Sequence, residues 1–234
     1  MWHNSHVPTH THRRSYSSRT RDESKELTRK ALLRAALKLL SRNSFDSISL
    51  REVTKEAGIT PTAFYRHFED MEALGLALVD ESFESLHAML RDARTNPNLV
   101  TNAIDSSVDT VVAATERNKY HFRFIARERY GGVKRVRRAI RRELDRFAEE
   151  LAVDLEQFPF VKDWPVADRL MLSATIAETM IHMAAELLDA DAKEKEAIIA
   201  RTRDQLVLIN LGVPTWREVS TNRARVDEVA REGL

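Results

Sequence analysis

The segment from residue 47 to residue 68 contains two capped helix starts on either side of a glycine, a pattern that restricts this part of the chain to a tight helical hairpin. Ser49 lies three residues before Glu52, which is the spacing of the capping box that starts an α-helix. Gly58 can supply the left-handed backbone conformation with which helices commonly end. These residues predict a short helix that begins after Ser49 and ends before Gly58.

A second helix is predicted directly after the glycine. Thr60 can cap it, and Pro61 takes the first helical position, where the missing N–H costs nothing. Phe64 and Phe68 lie four residues apart and would anchor one face of this helix in the core. The two helices together have the pattern of a helix-turn-helix. A capped helical hairpin with a merely solvated outer face would show the same pattern.

The outward face of the second helix carries side chains that suit the major groove of DNA. Small residues at Thr62 and Ala63 would let the helix approach base edges, and Arg66 can donate to guanine or to phosphate. Tyr65 and His67 suit phosphate oxygens, and the two helix N-termini add backbone N–H groups. The predicted DNA-binding residues are Ser49, Arg51, Thr60, Thr62, Ala63, Tyr65, Arg66 and His67.

The distribution of charge supports this interpretation. The net charge is only +1, but residues 13–70 hold 13 Lys and Arg against 8 Asp and Glu. A basic N-terminal part on a mildly acidic body suggests that this end faces a polyanion. The contributing residues include arginines at the N-terminus and a basic stripe on the first helix: Arg13, Arg14, Arg19, Arg21, Lys30, Arg34, Lys38 and Arg42.

The chain as a whole is predicted to be all-α. From Leu27 onward hydrophobic residues recur with a helical period, and no stretch shows the alternation of a strand. Helix breaks are expected at Asn43–Ser44, Gly58, Asn96–Pro97, Gly131–Gly132, Phe158–Pro159 and Gly212–Pro214. The predicted organisation is a disordered basic arm (1–24), a DNA-binding domain (25–70), a helical ligand-binding and dimerisation domain (71–215) and a charged tail (216–234).

The last two long helices, at about 165–189 and 193–211, have the most apolar faces. Two adjacent helices of this kind suit a four-helix bundle shared with a second copy across a two-fold axis. Burial within one subunit is the alternative. A homodimer is the prediction, with Met180 and Leu206 on the helices that form it.

Several classes of function are excluded or unsupported. The chain has no cysteine, so disulfides and thiolate chemistry are absent. No apolar run approaches the roughly 18 residues of a membrane span, and the polar N-terminus lacks the core of a signal peptide. We find no phosphate-binding loop, nucleophile elbow or zinc-protease motif. The expectation is a cytoplasmic protein that is not an enzyme and needs no cofactor.

Apolar residues of the second domain form a candidate ligand site. Met and Phe make adaptable walls for a hydrophobic ligand. The predicted lining is Phe83, Leu86, Leu90, Val108, Val111, Phe122, Ile125, Met171, Ile176 and Met180. The alternative is that these positions, which have helical spacing, belong simply to the core.

Three polar groups allow two interpretations each. Arg123 and Arg127 lie one turn apart and suit either a ligand's polar head or a solvated face. The stripe Glu178, His182 and Glu186 suits a metal geometrically, but a polar seam explains it more simply, so no metal site is predicted. The arginine-rich segment 135–142 is either an amphipathic surface helix or a site for a phosphate-bearing head or an acidic partner.

The run from residue 31 to residue 68 resembles the DNA-binding domain of the TetR family of repressors. The similarity lies in A-A-L-K-L-L, S-L-R-E-V, E-A-G-I-T and F-Y-R-H-F. The resemblance implies three N-terminal helices that bind a palindromic DNA operator, a connecting fourth helix, and a divergent helical domain for ligand binding and dimerisation.

Two further segments, at 74–82 and 122–131, resemble the FabR-type subgroup, repressors of unsaturated fatty acid synthesis. This resemblance implies a sensor of long-chain acyl thioesters such as acyl-CoA. One alternative is a repressor of an efflux or catabolic gene that responds to another hydrophobic molecule. A more remote alternative is a helical lipid carrier or acyl-processing enzyme whose basic end binds phosphates.

Overall fold

The computed structural model describes residues 13–94 and 103–232, and in this part of the chain it contains helices and no strands, which confirms the all-α prediction. Two single 3₁₀ turns lie between α-helices, at Phe45–Ser47 and at Leu155–Gln157. No helix in the described ranges is long and apolar enough to cross a membrane. The α-helices are α1 (Arg13–Leu40), α2 (Leu50–Glu56), α3 (Pro61–Phe64), α4 (Met71–Arg94), α5 (Ala103–Arg117), α6 (Lys119–Glu128), α7 (Lys134–Asp154), α8 (Val166–Leu187) and α9 (Ala192–Glu232).

The first three helices share one core with the start of α4. Leu33 and Leu37 of α1 are buried against Val53 of α2 and Phe64 of α3. Leu74 of α4 completes this core. The helix-turn-helix therefore rests on α1, because the buried face of each short helix is covered by a longer one.

The remaining helices form the second helical part of the chain, in which α7 packs on α4 and α8, and α8 packs on α9. Its apolar residues fall into separate groups. Val108, Met180 and Leu206 belong to one group, while Trp164 and Leu172 belong to another, nearer the end of α9. Adjacent α8 and α9 agree with the two long apolar helices that the sequence predicts.

The N-terminal arm is helical where it is described. Helix α1 begins at Arg13, so the prediction of disorder through residue 24 is wrong for residues 13–24, and residues 1–12 lie outside the described ranges. The physical reason is that no glycine or proline separates Arg13 from Leu40, so the helix extends N-terminally from its buried part. Residues 20–27 are nevertheless exposed.

The C-terminal helix corrects a second boundary. The sequence predicts a helix break at Gly212–Pro214 and a loose charged tail after it. In the structure α9 continues through Pro214 to Glu232. Proline inside a helix costs about 3 kcal/mol. Val213 is buried and Trp216 is half-buried, and both pack with Trp164 and its apolar neighbours. This tertiary contact offsets the cost, so the helix is not interrupted.

The other expected breaks agree with the structure where it describes them. α1 ends before Asn43–Ser44, α6 before Gly131–Gly132, and the segment between α7 and α8 contains Phe158–Pro159. Gly58 has φ +71°, the left-handed conformation expected at the end of α2. Asn96–Pro97 lies outside the described residues.

Candidate nucleic-acid interface

The N-terminus of α2 is fixed by a complete capping box. The Ser49 hydroxyl accepts a hydrogen bond from the Glu52 backbone N–H at 3.3 Å, and Glu52 Oε2 accepts from the Ser49 backbone N–H at 2.8 Å. The hydrogen bonds from Ser49, first from its hydroxyl and then from its backbone, lower the pKa of Glu52 below its ordinary value. The first turn of α2 is therefore held by two reciprocal hydrogen bonds.

Helix α3 is short but its start is as the sequence predicts. The Thr60 hydroxyl accepts from the Ala63 backbone N–H at 3.3 Å, and Pro61 takes the first helical position. The α-helix ends at Phe64, and the chain continues as a helical turn in which His67 N–H donates to the Phe64 carbonyl at 2.8 Å. The second helix of the pair is thus shorter than the pattern indicates.

The two phenylalanines lie on the inner side, as predicted. Phe64 and Phe68 are buried, with ring centroids 5.7 Å apart, and the Arg29 guanidinium lies 5.2 Å from the Phe68 ring centroid. Tyr65 is 62% exposed on the opposite side. With the two phenylalanines buried, the opposite face of this helical segment is exposed to solvent.

Most of the predicted DNA-binding residues lie on this exposed face. The exposed members are Ser49, Arg51, Thr60, Thr62, Tyr65 and Arg66, whereas Ala63 is half-buried.

His67 is less exposed than Tyr65 and Arg66 beside it. Its side chain is half-buried, and Nδ1 has no hydrogen-bond partner in the described structure. Burial, followed by the nearby charges of Lys25, Arg29 and Arg66, lowers the pKa of His67. The imidazole is therefore neutral near pH 7, and it brings no positive charge to a phosphate.

The loop before α2 is held by the end of α6, a contact that the sequence did not reveal. Arg127 donates to the carbonyls of Leu40, at 3.4 Å, and Asn43, at 2.8 Å, at the C-terminus of α1. Glu128 is buried, and its Oε1 accepts from the Phe45 backbone N–H at 2.9 Å. Burial is the main cause that raises the pKa of Glu128. We call these contacts the α6 clasp.

Close packing of glycines surrounds the α6 clasp. A Cβ atom on Gly75 of α4 would lie 2.7 Å from both Phe45 Cζ and Val136 Cγ2. A Cβ on Gly131 would collide with Glu128 Oε2, and one on Gly132 would lie 2.5 Å from Asp46 Oδ2. Helices α4, α6 and α7 thus meet the helix-turn-helix through one tightly filled contact.

Residues 32–78 match the family model of the bacterial regulatory proteins of the tetR family. These residues span the buried part of α1, both helices of the pair and the start of α4. The helix-turn-helix of this chain is therefore of the TetR-family type.

Solved structures show that the fold extends beyond this segment. A TetR-family transcriptional regulator from Chloroflexus aurantiacus has 21% identity and a TM-score of 0.53, over 80% of this chain and 93% of that one. A TetR-like regulator from Rhodococcus has 14% identity and a TM-score of 0.59, over 82% and 96%. The fatty acid degradation regulator FadR from Bacillus halodurans has 13% identity and a TM-score of 0.58, over 76% and 94%. At these identities the likeness establishes the fold.

The match of residues 32–78 supports the expectation of a DNA-binding protein. The resemblance to the FabR-type subgroup has no counterpart among these similarities.

The predicted ligand residues whose side chains are described fall into separate apolar groups. Phe83 and Ile125 lie in the core shared with the helix-turn-helix, Phe122 lies in a small group with Ala114, and the others fall elsewhere. Val108, Val111, Ile176 and Met180 belong to the group around Leu206, and Leu86 borders two groups. Met171 is 45% exposed, so its placement as a wall is wrong, because it lies on the outer side of α8. The side chain of Leu90 lies outside the described residues.

A different set of residues forms a pocket. It has a volume of about 310 Å³ and lies where α5 and α6 meet α8 and α9. Its lining is Val112, Thr115, Glu116, Lys119, Leu187, Leu188 and Lys195. Three of these residues are apolar, Val112, Leu187 and Leu188, and Lys195 Nζ lies 3.5 Å from Glu116 Oε1. The predicted lining includes Val111, next to Val112 of this pocket. Helical period alone does not show which side of a helix faces a pocket.

The remaining polar groups have structural partners. Arg123 pairs with Asp189 at 2.7 Å and donates to the Leu188 carbonyl. Arg127 donates to the Asn43 carbonyl. Both side chains therefore have protein partners, unlike the side chains of a merely solvated face. Glu178 pairs with Arg129 at 2.9 Å, and Glu186 pairs with Arg201. Within the described ranges no group of His, Asp and Glu has the arrangement of a metal site.

Proposed function

We propose that this TetR-family chain is a homodimeric, ligand-responsive repressor that binds a palindromic operator. The observation that carries the proposal is the exposed face of the helix-turn-helix, with Thr62, Tyr65 and Arg66 beside two free helix N-termini. A dimer places two such faces about 34–36 Å apart on one side of B-DNA. Ligand binding would change this spacing through the α6 clasp, and so change the affinity for the operator.

The dimer is proposed to form through the outer faces of α8 and α9. Leu208 and Leu211 of α9 are about 70% exposed, and Met171 of α8 is also exposed. Large apolar side chains on adjacent helices favour burial against a second copy. Met180 and Leu206 lie on the same two helices but are buried inside the subunit, because they pack against Val108 of α5.

The ligand is proposed to be a long-chain acyl thioester, and the genes under control to be those of fatty acid metabolism. The support is the FabR-like sequence at 74–82 and 122–131, and the abundance of apolar side chains in the second helical part. One structural neighbour is itself described as a fatty acid degradation regulator.

A smaller amphipathic inducer is the second candidate, and the pocket favours it. The volume of about 310 Å³ lies at the lower end of the range for small-molecule sites. Lys119 at its edge suits an acidic group, whereas Lys195 already pairs with Glu116.

The contact of Tyr65 with DNA can be tested by substitution. We expect Tyr65→Ala to weaken binding to the operator and to random DNA alike, by about two- to tenfold, because one phosphate hydrogen bond is worth about 0.5–1.5 kcal/mol. His67→Ala is the matched control and should have a smaller effect, since His67 is half-buried and neutral. Fluorescence titrations of both DNAs measure this. Full affinity in Tyr65→Ala would show that α3 is oriented differently on DNA.

The nature of the ligand can be tested by titration of operator binding with matched saturated and cis-unsaturated eighteen-carbon acyl thioesters. We expect the two to change operator affinity by unequal amounts, because a ligand shifts a conformational equilibrium only through its differential affinity for the two states. Mass spectrometry of the purified protein identifies any ligand carried along. Identical DNA-binding curves with and without either thioester would exclude the lipid ligand and leave the smaller inducer.

A further inference from the structure

The first half of α7 carries a dense cluster of positively charged residues. Six of the nine residues from Lys134 to Arg142 are Lys or Arg, and none is Asp or Glu. Arg137 turns back to donate to the Gly131 carbonyl, whereas the other five are exposed. Val136 and Ile140 of the same helix are buried, so the cations are collected on the solvent side.

Four of these cations have no acidic partner in the described structure. Arg135 pairs with Glu72 at 3.0 Å, but Lys134, Arg138, Arg141 and Arg142 make no ion pair with a described residue. We call these four residues the α7 cationic face.

Several arginines elsewhere in the second helical part are paired with acidic side chains. Arg129, Arg169 and Arg203 each lie within 3 Å of a carboxylate oxygen. Like charges one turn apart on a helix repel each other. An amphipathic surface helix explains the buried positions of α7 but gives no reason for this uncompensated repulsion.

The α7 cationic face begins at the DNA-binding domain. The Arg135–Glu72 pair joins the start of α7 to the first turn of α4, which follows the helix-turn-helix directly. Val136 lies beside Gly75 and Phe45, and Gly132 lies beside Asp46. The start of the face is therefore next to the elements that carry the proposed DNA contacts.

We propose that the α7 cationic face binds the phosphate backbone of DNA that flanks each half of the operator; the inference rests on the proposed operator binding. Lys134 and Arg142 are eight residues apart, about 12 Å along the helix, which corresponds to about three base-pair rises of 3.4 Å along the duplex axis. Arginine suits this partner because its planar fork binds phosphate oxygens in pairs. The contacts carry no sequence information, and they add affinity outside the palindrome.

The experiment compares two DNA fragments, the palindrome alone and the same palindrome extended by about ten base pairs on each side. The variant is Arg138→Gln, Arg141→Gln and Arg142→Gln combined, and the control is Arg146→Gln, which removes an exposed arginine of α7 that pairs with Glu143. Circular dichroism confirms that both variants remain folded. Affinity is measured for each fragment over a series of salt concentrations.

The triple variant is expected to bind the palindrome like the wild type and to bind the extended fragment at least tenfold more weakly. The slope of log K against log salt should flatten by about 0.9 for each lost phosphate contact, on the extended fragment only. The control should match the wild type on both. Wild-type binding of the extended fragment by the triple variant, or equal losses on both fragments, would overturn the flanking contact while leaving operator recognition intact. A wild-type chain that binds neither fragment would overturn the proposed function itself.

Discussion

Leu206→Asp is expected to unfold the chain, whereas Leu208→Asp is expected to leave it folded but monomeric. Leu206 is 5% exposed and packs with Val108 and Met180 inside the subunit. An unpaired carboxylate there costs several kcal/mol, which is comparable to the stability of a typical domain. Leu208, two residues along α9, is 70% exposed on the face proposed to meet the second copy.

Circular dichroism and analytical ultracentrifugation separate the two outcomes. Leu206→Asp should lose helical signal or be insoluble, and Leu208→Asp should keep its signal and sediment at half the mass of the wild type. Arg201→Ala on the same helix serves as a control, since its exposed pair with Glu186 contributes little. An unchanged dimer in Leu208→Asp would place the interface elsewhere.

Phe45→Ala is expected to destabilise the protein by about 3–5 kcal/mol, the usual cost of removing a buried aromatic ring. The Phe45 ring is 3% exposed and fills the space between Gly75 and Val136, where the helix-turn-helix meets α4 and α7. Loss of the ring leaves a cavity at the α6 clasp. Besides lowering stability, the change should weaken any effect of ligand on operator binding, because the clasp joins the helices of the proposed ligand-binding domain to the helix-turn-helix.

Urea unfolding measures the first effect, and operator titration with and without ligand measures the second. Phe160→Ala is the matched control, since its ring is 72% exposed and its loss should change the free energy of unfolding by less than about 0.5 kcal/mol. A loss at Phe45 no larger than at Phe160 would contradict the packing described. Unaltered ligand response in a folded Phe45→Ala would show that the clasp does not transmit it.

The sequence by itself determined the elements whose causes are local. The caps at Ser49 and Thr60 and the left-handed Gly58 depend on groups within four residues of one another, and all three are found as predicted. The inward placement of Phe64 and Phe68 likewise follows from helical period. These features suffice to locate the exposed face that we propose binds DNA, because it consists of the helix residues that are not buried.

Tertiary structure decided everything that depends on a distant partner. Pro214 ends a helix by local rules, yet the packing of Val213 and Trp216 keeps α9 continuous. Arg127 has the spacing of a surface residue, and only the approach of α1 gives it carbonyls to bind. His67 is polar and outward by period, but burial and, after it, the neighbouring basic residues lower its pKa. Period and caps fix the backbone locally, whereas burial and ion pairing are set by residues far along the chain, whose proximity only the fold creates.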